Sequence, residues 1–299
     1  MIDVHQLRVF LAVAQNLGFT RAAERLGMTQ SAVSHQIANL EAAVGTSLLL
    51  RQPRTVSLTD AGLVMAQHAR KVLAALDEAQ AAVRQVAKPN QGRLRIGASA
   101  SACQYVIPEA LREFRECFPD YTLSITPGDT PLVTELLLEG TLDLGVVIKS
   151  ERQRKLTYHE LFTDDLAFLV SPLHPWARAG RVDRGEMASQ RMVLYSRGST
   201  TFQMLERYFA RMRVSLHDWI ELGEMGAIKE LVKLGLGVSL MAPWTVRAEV
   251  AERSLVMLPL PGGPIRRKWA IATLRGRSRS VAEQTFIGLC QSVSAALIK

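Results

Sequence analysis

Hydrophobic positions in the first ninety residues recur at helical spacing, broken at short intervals by small or turn-forming residues. Leu7, Phe10, Leu11 and Ala14 form one apolar stripe and predict a helix over residues 4–17. Ala22, Ala23 and Leu26 predict a second over 19–26, ended by Gly27. Thr29 then offers a hydroxyl N-cap to a third helix, which carries Val33, Ile37 and Leu40 on one face. Two helices joined by a few residues including a glycine form a helix-turn-helix, here beginning at Phe19 and ending at Ala38. An ordinary helical hairpin has the same local pattern. The outer face of the third helix separates the two readings. Gln30, Ser31, Ser34, His35 and Asn39 are short and polar, where a solvated face would carry Lys and Glu. With the small Ala32 among them, they suit close approach to base edges in a major groove.

Strand-like runs at 48–51 and 55–58 flank Pro53 and predict a hairpin beside the helices. This would be a wing, with Arg51 and Arg54 near its tip to reach phosphates. Thr59 caps a long helix expected over residues 60–87. Its apolar positions Met65, Ala69, Val72, Leu76, Ala79, Val83 and Val86 alternate spacings of four and three, a heptad seam suited to dimerisation. The segment "KPNQG" reads as a hinge.

From Arg93 the period changes. "RLRIGAS", "TLSIT", "LDLGVVI", "LAFLV", "RMVLYS", "GVSLMAP" and "KWAIATL" are short apolar runs. Helical segments lie between them at 107–117, 132–138, 202–212 and 227–234. The alternation predicts α/β sheets with parallel strands. Twice a strand runs through small and hydroxyl residues into a helix: "RLRIG" into "ASASACQYVIPEAL", and "RMVLYS" into "RGSTTFQMLERYF". Free amide groups at such helix starts favour anions, so two units facing across a crevice would hold a small carboxylate or similar anion. Serines that merely cap their own helices are the plainer reading. Tyr105, Leu132 and Phe202 are near enough in sequence to crowd such a crevice.

Composition narrows the class. With 299 residues, 48% of them hydrophobic, the chain can fold into two or three units with cores. The net charge of +8 suits a polyanionic partner without locating a patch. Three widely spaced cysteines, Cys103, Cys117 and Cys290, disfavour a disulfide scaffold or zinc site and fit a reducing cytoplasm. The start "MIDVHQLRVF" lacks a signal-peptide core, and no uncharged stretch approaches the roughly 20 apolar residues of a membrane span. The apolar tail at 285–298 reads as a docked helix. No metal or cofactor is expected.

The stretch "LRVFLAVAQNLGFTRAAERLGMTQSAVSHQIANLEAAVGTSLLLRQPRTVSLTDAG" resembles the winged helix-turn-helix of LysR-type transcriptional regulators. "EGTLDLGVV" and "ELVKLGLGVSLMA" extend the likeness more loosely along the chain. Leu49 departs from it, since the family usually has phenylalanine there. The resemblance implies an α+β multidomain chain: a winged helix-turn-helix (1–59), a long linker helix (60–88), a hinge (89–92) and a periplasmic-binding-protein-like effector module (93–299). That module would have two α/β subdomains, about 93–161 with 267–299, and about 162–266. A small co-inducer would sit between them, lined by Ser99, Ser101, Thr130, Ser196, Ser199 and Thr200, with Met225 and Ala227 nearby. DNA contact would fall to Thr29, Gln30, Ser31, Ala32, Ser34, His35, Arg51 and Arg54. The implied partners are an operator duplex, a small-molecule effector, further copies of the chain as a homodimer or homotetramer, and RNA polymerase. The implied location is the cytoplasm, with no membrane contact.

Two rivals are weaker on chemistry. An enzyme needs a nucleophile, base or metal set. His5, His35 and His68 lie in the N-terminal module, while His159, His174 and His217 are scattered without H-E-x-x-H spacing. A thiol sensor of the same fold could use Cys103, since a helix start can lower a thiol pKa, but no resolving partner is evident. Cys117 and Cys290 read as buried filler. The runs at 266–268 and 275–279 read as solvated charges.

Overall fold

The computed structural model describes residues 2–51, 56–87, 91–151 and 153–298. The chain forms two compact units, one of Met1–Gly92 with Glu139–Thr141, the other of Arg93–Leu138 with Leu142–Lys299.

The first unit begins with α1 (Val4–Asn16), capped by the Asp3 carboxylate, which accepts from the His5 and Gln6 amides. Next come α2 (Phe19–Leu26) and α3 (Gln30–Val44). Gly27 ends α2 in the left-handed region at φ 64°, as its position in the sequence required. Thr29 Oγ1 accepts from the Ala32 amide at 3.2 Å and starts α3. Phe10, Val13, Ala22, Val33, Ile37 and Leu40 are buried together, so the apolar stripes of the three helices meet in one core. Leu49, the departure noted above, is buried in that core.

β1 (Leu49–Arg51) and β2 (Val56–Leu58) pair antiparallel. Arg54 lies outside the described residues. Glu41 Oε1 accepts from the Leu48 amide at 2.7 Å and the Leu49 amide at 3.2 Å, tying α3 to the start of β1. Thr59 closes the other side: its amide donates to Leu48 O at 3.0 Å and its hydroxyl to Ser47 O at 2.9 Å. That hydroxyl also accepts from the Gly62 amide at 2.9 Å, capping α4 (Asp60–Ala87). At Gly62 a β-carbon would stand 2.0 Å from the Leu48 carbonyl oxygen.

Helix α4 departs from the single heptad seam. Ala66 and Ala69 are buried in the core of the first unit and Met65 packs against it, whereas Val72 and Val83 are exposed. Leu76 is half-buried and Ala79 exposed. The Val86 side chain lies outside the described residues. The first turns of α4 therefore serve their own unit, because a three-helix module this small needs their apolar surface to close its core.

The second unit holds β3 (Gly92–Ala98), α5 (Ala100–Tyr105), α6 (Ile107–Cys117), β4 (Tyr121–Pro127), α7 (Thr130–Leu138), β5 (Leu144–Ile148) and β6 (Leu156–Asp165). Next come β7 (Ala167–Val170), α8 (Pro175–Ala179), β8 (Met192–Leu194), α9 (Thr200–Met212), β9 (Trp219–Glu221) and α10 (Met225–Lys233). The chain closes with β10 (Ser239–Met241), α11 (Arg247–Ala251), β11 (Val256–Leu258), β12 (Arg266–Leu274) and α12 (Val281–Ile298). A five-stranded sheet runs in the order β4-β3-β5-β12-β6. Smaller sheets, β10-β7-β11 and β8-β9, are joined where the Val193 amide donates to Val238 O at 2.8 Å.

Not all strands are parallel. β3 and β5 are, as are β8 and β9, but β12 runs antiparallel to both β5 and β6, and β7 antiparallel to β10 and β11. The reason is topological. β12 re-enters the first sheet from the smaller sheets, so it arrives in the reverse direction without a helical crossover. α12 is long and apolar enough to pass a length test for a membrane span, but Phe286 and Cys290 on one face are fully buried and it packs on α6 and β6.

Gly62→Ala should destabilise the first unit by about 1–3 kcal/mol, because the Leu48 carbonyl is backbone and cannot swing aside. Urea unfolding followed by circular dichroism would show it as a lowered midpoint.

Candidate functional site

In the first unit the outward face of α3 presents Gln30, Ser31 and His35 exposed, with Ala32 and Ser34 half-buried beside them. Thr29 is exposed and its hydroxyl lies 3.1 Å from that of Ser31. Asn39 Nδ2 and His35 Nδ1 are 3.2 Å apart one turn along. Val33, Ile37 and Leu40 lock the opposite face into the core, so these polar groups are carried on a rigid element. The Arg51 side chain is outside the described residues.

In the second unit a cavity of about 60 Å³ collects residues from both groups of strands. Ser99, Ser101, Thr130, Ser199, Thr200 and Met225 line it, so six of the seven expected residues come together. The seventh, Ser196, is not in the wall. Its carbonyl accepts from the Ser199 amide at 2.9 Å, and its hydroxyl stands behind Gly223, which lines the cavity instead. The turn that presents Ser199 uses Ser196 as its first residue, and this displaces Ser196 from the surface it precedes.

The wall is made of helix starts. Ser99 caps α5, Thr130 opens α7, Ser199 caps α9 and Met225 opens α10. Ser99 Oγ accepts from the Ala102 amide at 3.4 Å and Ser199 Oγ from the Phe202 amide at 3.1 Å, so both are N-caps as well as lining residues. Thr130 Oγ1 accepts from the Ile148 amide at 3.0 Å and pins α7 to the end of β5. Ser101 and Thr200 lie within the first turns of α5 and α9, with Ser101 Oγ 3.2 Å from Ser99 Oγ.

Other lining residues escaped the sequence reading: Asp129, Tyr195, Thr201, Thr245, Arg267 and Trp269. Arg267 corrects the reading of 266–268 as solvated charge, for it is buried at 5% exposure. Its Nε donates to Asp164 Oδ1 at 2.8 Å and its NH1 to Thr201 Oγ1 at 3.1 Å. Trp244 Nε1 and Trp269 Nε1 donate to Asp164 Oδ2 at 2.7 and 3.0 Å. Burial pushes the Tyr195 hydroxyl up to about 12, so it remains a neutral donor. Desolvation raises the Asp129 carboxyl above its ordinary value. The residues expected to crowd the space do not line it. Phe202 is buried in the core, Leu132 is largely exposed, and Tyr105 turns to donate to Thr245 O at 2.8 Å.

Residues 4–63 match the family described as bacterial regulatory helix-turn-helix protein, lysR family, and residues 87–295 match the LysR substrate binding domain. The chain belongs to the LysR family of transcriptional regulators. The RuBisCO operon transcriptional regulator of Allochromatium vinosum is 30% identical over 285 residues, covering 95% of this chain and 94% of that protein. The regulatory domain of CcmR from Synechocystis PCC6803, solved in complex with 2-PG, is 27% identical with a TM-score of 0.62, covering 68% of this chain and 98% of that one. Full-length CbnR, solved with its target DNA, shares the fold with a TM-score of 0.67 at 21% identity, covering 98% and 100%.

Within this LysR-type regulator the cysteines oppose the thiol-sensor alternative. Burial pushes the Cys103 thiol up, and Sγ is 3.6 Å from Ala98 O. Cys117 is exposed where filler was expected, and burial lifts the Cys290 thiol to about 12.

Behind the cavity, Lys229 on α10 is buried and reaches Glu249 Oε1 at 2.5 Å, Thr245 O at 3.4 Å and the Tyr105 hydroxyl at 3.5 Å. Burial works against the Lys229 ammonium, but Glu249 outweighs it and holds the Lys229 pKa above its ordinary value. A raised lysine pKa stabilises the fold below the ordinary lysine range, and that stability is lost as pH rises through the folded value. Lys229→Met should therefore cost about 3–5 kcal/mol at neutral pH by leaving Glu249 buried and unpaired. The gap between wild type and variant should narrow above about pH 10.4. Denaturant unfolding at neutral and alkaline pH would measure both.

Proposed function

We propose that this regulator binds operator DNA through α3 and the β1–β2 wing, and that a small anionic effector held in the cavity controls it. The observation that carries the ligand class is the arrival of the N-termini of α5, α7 and α9 at one small space, while at α10 the Glu224 carboxylate already accepts from the Gly226 and Ala227 amides. Unpaired amides and aligned peptide dipoles there favour negative charge. Eight hydroxyl residues in the wall, Tyr195 among them, add donors for oxygen-rich ligands. The 2-PG carried by the CcmR regulatory domain is a fitting first probe. Asp129 is the one carboxylate in the described wall, and it suits a hydroxyl on the ligand.

On the DNA side, α3 carries the base-reading residues Gln30 and Ser34, with Thr29, Ser31, Ala32 and His35 around them. Arg51 and Arg54 hold phosphates, since a hairpin beside a helix-turn-helix lies along the backbone of the duplex. The exposed Val72 and Val83 of α4 give a face for a second copy, with Leu76 and Ala79 between them, and the oligomer is a homodimer or a tetramer. The protein acts in the cytoplasm, on DNA, without catalysing a reaction.

Two measurements test this reading. Arg51→Ala and Arg54→Ala should weaken binding to all duplexes alike and lower the salt slope by about one each. Gln30→Ala and Ser34→Ala should cost about 1–3 kcal/mol at particular base pairs only. Calorimetric titration with 2-PG and other small carboxylates should show Ser101→Ala and Thr200→Val weakened by about 0.5–1.5 kcal/mol, with operator binding intact. An effector that proves cationic, or variants that respond like wild type, would reverse the assignment of the cavity.

A further inference from the structure

The cavity wall contains one cation among its described residues, and that cation is held in an unusual way. Arg267 lines the cavity while its counter-ion Asp164 does not. The pair is buried on both sides, at 5% and 6% exposure, yet it shows its positive member to the ligand space and keeps its negative member behind. Asp164 is also shared. It accepts two bonds from Arg267 and one from each of the Trp244 and Trp269 indoles. The indole N–H donors occupy the carboxylate without supplying a second positive charge, so Arg267 is the one charged group bonded to it. Three bonds, to Asp164 twice and to Thr201, leave N–H groups of the guanidinium over. Trp269, also in the wall, packs its ring 5.2 Å from the guanidinium carbon and fixes its plane.

We propose that Arg267 is the specificity-determining cation of the effector site. Its remaining N–H groups take the carboxylate or phosphate head of the ligand, and Asp164 sets how much positive charge the ligand meets. The helix starts then hold the rest of the anion. This rests on the reading of the cavity as an anion site and names the group that selects the charge. Neutral ligands of the same size gain less from Arg267, because a hydrogen bond between two ionised groups is about twice as strong as one to a neutral oxygen.

The test is titration of the full-length protein with 2-PG and, as a head-group probe, inorganic phosphate. Arg267→Lys keeps a charge but loses the fork, and should weaken 2-PG binding about ten- to a hundredfold. Asp164→Asn removes the counter-charge while leaving a side-chain oxygen for the indoles, and should tighten it severalfold. A purely structural pair predicts the opposite for Asp164→Asn: both variants would bind more weakly. That result, or wild-type affinity in Arg267→Lys, overturns the proposal while leaving the anion reading standing. A wild type that binds none of these anions overturns both. Should either variant fail to fold, Trp269 reports on the intact site. Saturating 2-PG should change tryptophan fluorescence in wild type and change it less in Trp269→Phe, where Trp244 still reports from the same carboxylate; equal changes in both count against contact at Arg267.

Discussion

The second unit turns on one buried carboxylate. Asp164 stands at the end of β6, just before the chain leaves the larger sheet, and Arg267 stands at the start of β12, where the chain returns to it. The two are register partners in the sheet and their side chains bond as well. Trp244 brings in the smaller sheets and Trp269 the larger, and both indoles end on the same oxygen. Phe162, Trp244 and Trp269 pack against one another around it, with ring centroids 5.5 to 6.0 Å apart. Replacing such a pair with apolar residues often stabilises a protein, so its worth lies in geometry rather than net energy. It specifies where the two crossing strands meet and which way the guanidinium faces.

The cavity follows from that meeting. β12 shifts register between Trp269 and Ala270, an irregularity that re-aims Trp269 beside the crossing. Four helices then point their first turns at the same space, because each follows a strand that ends there. Ligands gather at such strand ends in open α/β sheets for the same reason. Behind the wall the Tyr105 hydroxyl on Thr245 O joins α5 to the turn that carries Trp244. The cavity is thus bordered on two sides by bonds that link the larger sheet to the smaller ones. A molecule that changes the spacing of those groups works directly on the elements that hold the unit together.

The first unit obeys a different constraint. It is small, and it completes its core by borrowing Ala66 and Ala69 from the helix that leaves it. Glu41 and Thr59 fix both sides of the short β-ribbon through backbone groups, so these hydrogen bonds set the register of a wing and an α3 whose apolar sides are already held in the core. Recognition of a duplex needs that fixity, since base-reading side chains must hold their register against the phosphates.

The local patterns determined the helices of the first unit, the caps at Thr29 and Thr59, the glycine stop at Gly27 and the polar outer face of α3. These depend on neighbours within a few residues, which a linear reading can see. The serine-rich helix starts were legible too, and six of seven expected residues meet at the cavity. Tertiary structure alone decided that Arg267 is buried: its partner is 103 residues away and its neighbours in sequence, Arg266 and Lys268, are exposed. It also decided which face of α4 belongs to its own core, and that β12 runs against its neighbours. Those outcomes depend on where the chain returns after a long excursion, and local periodicity holds no record of that.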